Sequence, residues 1–289
     1  MCILFVILTH DFPRQTLRLL DAIYNEVDHY VIHVDASADP TFKNLLVGAG
    51  KTKPNIEVIS RVSCSWGSFR VVQATIEALA SGREQDRPWT HAVILSGTHL
   101  PLWPIERIRS WLVPQRSMFT WNDMAKADPS LKWTHDIWDR IIYKYKMESD
   151  GRAVRTEKLG PPDFNYFVGS QWVILARHHV EFILKSASEN IYLRLAESNV
   201  PDESFFHTLI LNSQHRSEVA WSSSTLCYWR EGSWSPKMLD LKDYCLAVKA
   251  GTHPFARKFG EDLDSDAEAR RVISAAIGAY ESQFSRLEA

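Results

Sequence analysis

Between Met1 and Thr120, short apolar runs alternate with stretches of helical spacing, and that alternation restricts the fold more than any other feature of the chain. Residues 2–8, 30–35, 56–59, 91–95 and 117–120 are short and rich in Ile, Val, Leu and Phe, which predicts strands. Between them, 16–24, a short stretch after Pro40, 68–80 and 104–112 place apolar residues three and four apart, as helices do. Strands alternating with helices predict an α/β fold: a mostly parallel central sheet with helices on both faces. In such sheets ligands bind beyond the carboxyl ends of the strands. Asp35, Trp66-Gly67 and the run Ser96, Gly97, Thr98, His99 fall at or just after such ends.

The remainder is less regular. Residues 121–165 carry Trp121, Trp133 and Trp138, many charges and the turn-rich Gly160-Pro161-Pro162, and are expected to form a long excursion with one helix over 136–147. A strand over 169–177 then runs into a helix over 178–185, followed by a helix over 190–198. A short strand over 225–229, a turn at 232–236 and a helix over 239–249 come next. The terminal helix is expected to start with a capping box, Ser265 and Glu268. With no repeat and no low-complexity segment, the 289 residues are expected to form a single domain, 1–289.

Composition excludes several classes. A net charge of −2 gives no field for nucleic acid. The apolar start, residues 1–8, is too short to span a bilayer and lacks a basic flank and a cleavage site; no transmembrane segment is expected, and peripheral contact with a membrane is left open. Cys2, Cys64, Cys227 and Cys245 are widely spaced and form no C-x-x-C pair, so neither structural zinc nor a disulfide framework is expected. No P-loop, GxGxxG, HExxH or GxSxG motif occurs. His178 and His179 are adjacent, and on a helix adjacent side chains leave about 100° apart, so no shared metal site is expected there. Asp262, Asp264 and Asp266 lack the glycine and distal glutamate of a calcium loop. Eleven tryptophans offer flat faces on which sugar rings stack.

Two stretches carry candidate chemistry. In Pro201-Asp202-Glu203 a proline and two acids suit a helix start, and Phe205, Phe206, Leu209 and Ile210 form an apolar stripe that anchors it. The acids either cap the helix or present one carboxylate as a general base. Adjacent acids cannot flank a glycosidic bond as a hydrolase pair does. Arg257-Lys258, framed by Phe255 and Phe259, offers a planar fork and a point charge suited to a diphosphate, or an ordinary surface pair.

The chain carries, in order, Leu8-Thr9-His10, His33-Val34-Asp35, Trp66-Gly67-Ser68, Leu95-Ser96-Gly97, Gly169-Ser170 with Trp172, Pro201-Asp202-Glu203 with Phe205-Phe206-His207-Thr208, Ser235-Pro236-Lys237 and Phe255-Ala256-Arg257-Lys258-Phe259. Taken together, these segments resemble the family of core-2/I-branching β-1,6-N-acetylglucosaminyltransferases and peptide O-xylosyltransferases. The resemblance implies a GT-A-type nucleotide-sugar-binding fold and an inverting transfer from a UDP-sugar that requires neither metal nor other cofactor. It places the catalytic base on Glu203, the diphosphate ligands on Arg257 and Lys258, and the uridine side on Val34, Asp35 and Trp66. Trp229 then lines the acceptor. In the excursion, which matches the family poorly, Asp123 and Arg140 are the acceptor-side candidates. On this reading 1–120 is the nucleotide-binding half, 121–165 the acceptor-side excursion and 166–289 the catalytic and diphosphate-binding half.

The chain departs from the family pattern twice. His99 stands where an acid usually follows Leu-Ser-Gly-x, and Gln171 stands where the xylosyltransferases carry Asp. The fourth strand ends on Gly97-Thr98-His99 and has no Asp-x-Asp, consistent with metal independence. The expected enzyme moves a sugar, with GlcNAc favoured, from UDP to a glycan hydroxyl in β linkage. The alternatives are UDP-xylose transfer to a peptide and a UDP-sugar-binding pseudoenzyme. Without an anchor or stem in the sequence, a cytoplasmic enzyme of bacterial type is expected rather than one of the Golgi lumen.

Overall fold

The structure, a computed structural model, describes residues 1–51, 53–84, 88–233, 235–263 and 266–278. In chain order the first half runs β1 (Ile3–Thr9), α1 (Pro13–Ile23), β2 (His29–Val34), α2 (Pro40–Lys51), β3 (Ile56–Ile59), α3 (Phe69–Glu84), β4 (His91–Ser96), β5 (Leu100–Pro101), α4 (Ile105–Trp111) and β6 (Ser117–Phe119). The excursion holds β7 (Asn122–Asp123), α5 (Lys132–Ile142), β8 (Tyr143–Met147), β9 (Ala153–Lys158) and β10 (Phe167–Val168). Then follow β11 (Ile174–Ala176), α6 (Arg177–Lys185), α7 (Asn190–Ala196), α8 (Phe205–Leu211), β12 (Val219–Trp221), β13 (Thr225–Cys227), α9 (Leu241–Ala250), β14 (Phe255–Arg257) and α10 (Asp266–Ile277).

Seven strands form the central sheet in the order β12-β6-β11-β4-β1-β2-β3. All neighbours are parallel except those of β11, which runs antiparallel to both β4 and β6. The α/β architecture expected from the alternation is therefore the one observed. The pleat explains how both faces are covered: Ile3, Phe5 and Ile7 of β1 pack in one core with Leu17 and Leu20 of α1, Leu46 of α2 and Tyr244 of α9. Leu4 and Val6 point the other way, into a second core with Val72 and Leu79 of α3, Val180 of α6 and Phe205 and Leu209 of α8. A strand buried on both faces reads as an unbroken apolar run, which is why β1, β2 and β4 were easy to place.

Two expectations are corrected, and one strand is new. The helix expected over 136–147 lies at Lys132–Ile142, and residues 143–147 form β8, which pairs with β9 in an antiparallel hairpin. Tyr143, Tyr145 and Met147 alternate with Lys144 and Lys146, a period of two that belongs to a strand. The helix expected to open at Pro201 begins at Phe205; Pro201–Glu203 is a separate 3₁₀ turn. Strand β12 was not anticipated, because three residues are too few to show a period. The Ser265 cap lies outside the described residues. Among the described residues no helix is long and apolar enough to cross a membrane.

Candidate active site

Beyond the carboxyl ends of β1, β2 and β4 the chain encloses a cleft of about 930 Å³. Asp35, Trp66, Glu203, Trp229, Arg257 and Lys258, spread over more than two hundred positions of sequence, all line it. Val34 does not; it is fully buried at the end of β2, between His33 and Asp35, which do line the cleft. Asp123 is also not among the lining residues: its Oδ1 accepts the Ala125 N–H at 3.2 Å and its Oδ2 faces Lys126 at 3.4 Å.

The acid ending the second strand is held by its own neighbours. Asp35 Oδ1 accepts from the Ser37 N–H at 2.8 Å and Oδ2 from the Cys64 N–H at 2.8 Å. Burial alone would raise this carboxyl, but the hydrogen bonds from Ser37 and Cys64 outweigh it and hold the group below its ordinary value. Trp66 stands at the rim with 68 % of its surface exposed, next to Gly67 in the left-handed region at φ 74°. A side chain on Gly67 would come within 3.0 Å of Asn199 Oδ1, so glycine serves both conformation and space there.

Gly67 also fixes the loop that delivers Glu203. Its carbonyl accepts the Val200 N–H at 2.8 Å, and the Arg140 carbonyl accepts the Asn199 N–H at 3.0 Å. Between these two ties Val200 adopts φ 50°, a left-handed conformation that costs a β-branched residue roughly 1–3 kcal/mol. The following 3₁₀ turn ends on Glu203, whose carbonyl accepts the Gly169 N–H at 2.7 Å. Phe205, Phe206, Leu209 and Ile210 are all essentially buried, as their spacing predicts, and they fix the turn to the core.

The two acids of this turn have different surroundings. Glu203 Oε2 accepts from Arg140 Nη1 at 2.6 Å, and Oε1 takes no hydrogen bond from the described residues. Asp202 makes no cap to the helix, which corrects the capping role read from sequence. Its Oδ1 is buried without a hydrogen-bond partner among the described residues, although the residue as a whole is only half-buried and lines the cleft. Burial and the adjacent Glu203 charge push the Asp202 carboxyl up to about 7, against the opposing pull of Arg140 and Arg257.

The basic pair reaches the cleft from β14. Its first two residues, Phe255 and Ala256, and the later Phe259 are fully buried. β14 pairs with β13 so that Arg257 sits opposite Cys227, and with β5 on its other side. The Phe259 N–H bonds the Thr98 carbonyl at 2.9 Å, tying this segment to the loop that ends β4. The Arg257 guanidinium lies 4.6 Å from the Trp172 ring, and its Nε has no hydrogen-bond partner among the described residues. Burial works against the Arg257 charge and lowers its pKa, while Cys227 and Asp202 pull the other way. A desolvated cation with an unfilled N–H is a strong seat for an anion.

Several residues take roles that the sequence does not assign them. Trp172 supports Arg257, and Arg140, an acceptor-side candidate from sequence, holds Glu203. His99 is fully buried, bonds Ser96 Oγ through Nδ1 at 2.9 Å and meets Trp172 edge-on at 4.7 Å between ring centroids. It is not among the lining residues, so the missing acid leaves the β4 loop braced from beneath rather than placing an imidazole in the cleft. Gln171 does line the cleft.

The model of one protein family, the Core-2/I-Branching enzyme, matches residues 3–250. A human beta-1,3-galactosyl-O-glycosyl-glycoprotein beta-1,6-N-acetylglucosaminyltransferase 3 is 23% identical over 72% of this chain and 47% of its own length. A xylosyltransferase of Ciona intestinalis is 24% identical over 88% of this chain and 31% of its own length. The chain thus spans less than half the length of these curated relatives. Among solved structures, a galactosyltransferase in complex with donor and acceptor sugar analogs aligns over 99% of this chain and 100% of its own, at 10% identity and a TM-score of 0.45.

Proposed function

This chain belongs to the Core-2/I-branching enzyme family, and we propose that its cleft carries out an inverting, metal-independent transfer of a sugar from UDP to a glycan hydroxyl. One observation carries this reading. Glu203, fixed by Arg140, and the desolvated Arg257 with Lys258 line the same cleft although 54 residues and separate elements part them. A carboxylate near a seat for a diphosphate is what a single displacement requires.

In the proposed reaction Glu203 Oε1 takes the proton of the acceptor hydroxyl as its oxygen attacks the anomeric carbon. The bond from that carbon to the diphosphate oxygen breaks on the opposite face, and its electron pair leaves with UDP. Arg257 and Lys258 neutralise the charge that builds on the diphosphate, a task that a metal performs in other sugar transferases. No carboxylate follows β4, where Gly97, Thr98 and His99 stand. Asp35 and Trp66 shape the uridine side, and Trp229, 60 % exposed at the rim, offers its face to the acceptor. Cys64 and Cys227 line the cleft as free thiols, which fits a reducing compartment.

The donor sugar is assigned as GlcNAc rather than xylose on Gln171, which lines the cleft where the xylosyltransferases of the family carry Asp. A panel of UDP-sugars with a glycan acceptor, with and without EDTA, tests the reading. We expect UDP-GlcNAc to be turned over in EDTA, with Glu203→Gln keeping UDP affinity and losing about 10²–10⁴ in kcat. Turnover of UDP-xylose on a Ser-Gly peptide alone would move the assignment to xylosyl transfer. Binding without turnover in the wild type would make the chain a pseudoenzyme.

A further inference from the structure

At the end of the sheet opposite the cleft, four side chains from two segments converge. β11 runs antiparallel to β4, so its last residue, Ala176, pairs with the first residue of β4, His91, whereas the cleft lies beyond the last, Ser96. His178 and His179 follow in the first turn of α6, and His215 and Glu218 lie in the 3₁₀ turn Gln214–Glu218 that precedes β12. The nitrogen and oxygen atoms that these four offer lie within 4.8 Å of one another. The adjacent histidines, expected from helical geometry to point too far apart to share a site, do converge on Glu218. The 100° between them describes the Cα–Cβ directions, and imidazoles are long enough to turn back toward one carboxylate. Their rings stand 4.2 Å apart between centroids.

One oxygen cannot satisfy this cluster. Glu218 Oε2 lies 2.8 Å from His178 Nε2, 2.9 Å from His215 Nδ1 and 3.3 Å from His179 Nε2. The first two contacts are hydrogen bonds, but His179 Nε2 is buried and has no hydrogen-bond partner among the described residues. The His179 side chain is fully buried and aimed at the centre of the group. Its other nitrogen is engaged by Ser117 Oγ, which also accepts the Ala176 N–H at 2.9 Å. A buried histidine oriented through one nitrogen, with the other turned toward two more imidazoles and a carboxylate, is the arrangement of a metal ligand with its supporting hydrogen bond.

We infer that His178, His179, His215 and Glu218 form a structural site for a borderline divalent metal ion, zinc above all. Three imidazoles and a carboxylate are nitrogen and oxygen donors that suit Zn²⁺, and four protein ligands close the shell, as structural sites do. Tetrahedral binding at about 2.0–2.1 Å puts ligand atoms ~3.3 Å apart, which small side-chain rotations reach from the present spacing. The surrounding backbone is fixed without the ion, because Arg116 Nη2 bonds the carbonyls of Ser217 at 3.0 Å and Val219 at 3.1 Å. Bound there, zinc staples the start of α6 to the turn that delivers the outer strand β12. It takes no part in the cleft chemistry.

The test uses the full chain without a histidine tag, stripped with EDTA and titrated with ZnCl₂ by calorimetry and with CoCl₂ by visible absorption. One equivalent is expected to bind, with the visible bands of four-coordinate Co²⁺ and a rise in Tm of several degrees. Glu218→Gln and His178→Ala change the more accessible ligands and leave the buried His179 in place. Each is expected to weaken zinc binding by at least about 10–100-fold and to abolish the zinc-dependent rise in Tm. Turnover measured well below the melt should be unchanged in both variants. Failure to bind a stoichiometric ion, or equal affinity in wild type and both variants, overturns the assignment.

Discussion

Arg140, near the end of α5, donates from Nη1 to Glu203 Oε2 at 2.6 Å, and its carbonyl takes the Asn199 N–H at 3.0 Å. One residue of the 121–165 excursion thus holds both the carboxylate and the loop that carries it. The contact leaves Glu203 Oε1 as the oxygen presented to an acceptor. Removing the side chain should leave the donor seat, which is built on β14, untouched. We expect Arg140→Ala to lower kcat about 10–100-fold, the scale of a misplacement of roughly 1 Å, with little change in KM for the UDP-sugar. The double variant with Glu203→Gln should be no worse than Glu203→Gln alone, because the two act as a unit. Additive losses would show that Arg140 acts on something other than Glu203.

Gly169 connects the packing to the same carboxylate. Its N–H bonds the Glu203 carbonyl at 2.7 Å, and a side chain there would lie 2.3 Å from the Thr120 carbonyl oxygen and 2.6 Å from His207 Nε2. A backbone oxygen and a buried ring leave no room to yield. Gly169→Ala should cost about 1–3 kcal/mol by overpacking, read from denaturant unfolding, and should lower kcat as well because the Glu203 turn is pushed away. Wild-type stability and turnover in this variant would show that the 3₁₀ turn is not held where described.

How much of this was legible in the sequence depended on the range of the interaction. β1, β2 and β4 are buried on both faces and declare themselves locally through unbroken apolar runs. The anchor of Pro201-Asp202-Glu203 was equally visible, since Phe205, Phe206, Leu209 and Ile210 carry their own period. Arg140 and Glu203 are 63 residues apart on elements of no fixed register, and no local pattern marks the pair. The histidine cluster was misread for a related reason. Helical geometry relates His178 to His179 but says nothing of Glu218, which sits 40 residues away and draws both rings inward. The period of two in Tyr143–Met147 is present in the sequence, but Lys144 and Lys146 suit the solvated face of a helix as well, and the pairing with β9 decides for the strand.

The unfilled Nε of Arg257 and its 4.6 Å contact with Trp172 lead to a prediction on donor binding. Hydrogen bonds to a charged group contribute about 1.5–3 kcal/mol each, so Arg257→Ala should weaken UDP about 10–100-fold by calorimetry. Arg257→Lys keeps the charge but loses the fork and the flat stack, and should recover only part of the affinity. Unchanged UDP affinity in Arg257→Ala would place the diphosphate elsewhere in the cleft.

Asp202 gives the protein a pH dependence of defined sign. Its folded-state pKa is raised to about 7, well above the unfolded carboxyl near 3.9, mainly by burial and then by the Glu203 charge. Between those values the folded state holds a proton that the unfolded state has released, so stability falls as pH rises through this window. Below about pH 4 both states are protonated and the contribution is fully present; above the folded pKa it is lost. Asp202→Asn keeps the shape and removes the titration. Its Tm should therefore exceed that of wild type by ~2–4 °C at pH 8 for each kcal/mol gained, with the difference shrinking steadily toward pH 4. Thermal melts across pH 4–8 on both proteins measure this directly. Parallel curves would mean that the orphan Oδ1 finds a partner in solution and that the carboxyl titrates at its ordinary value.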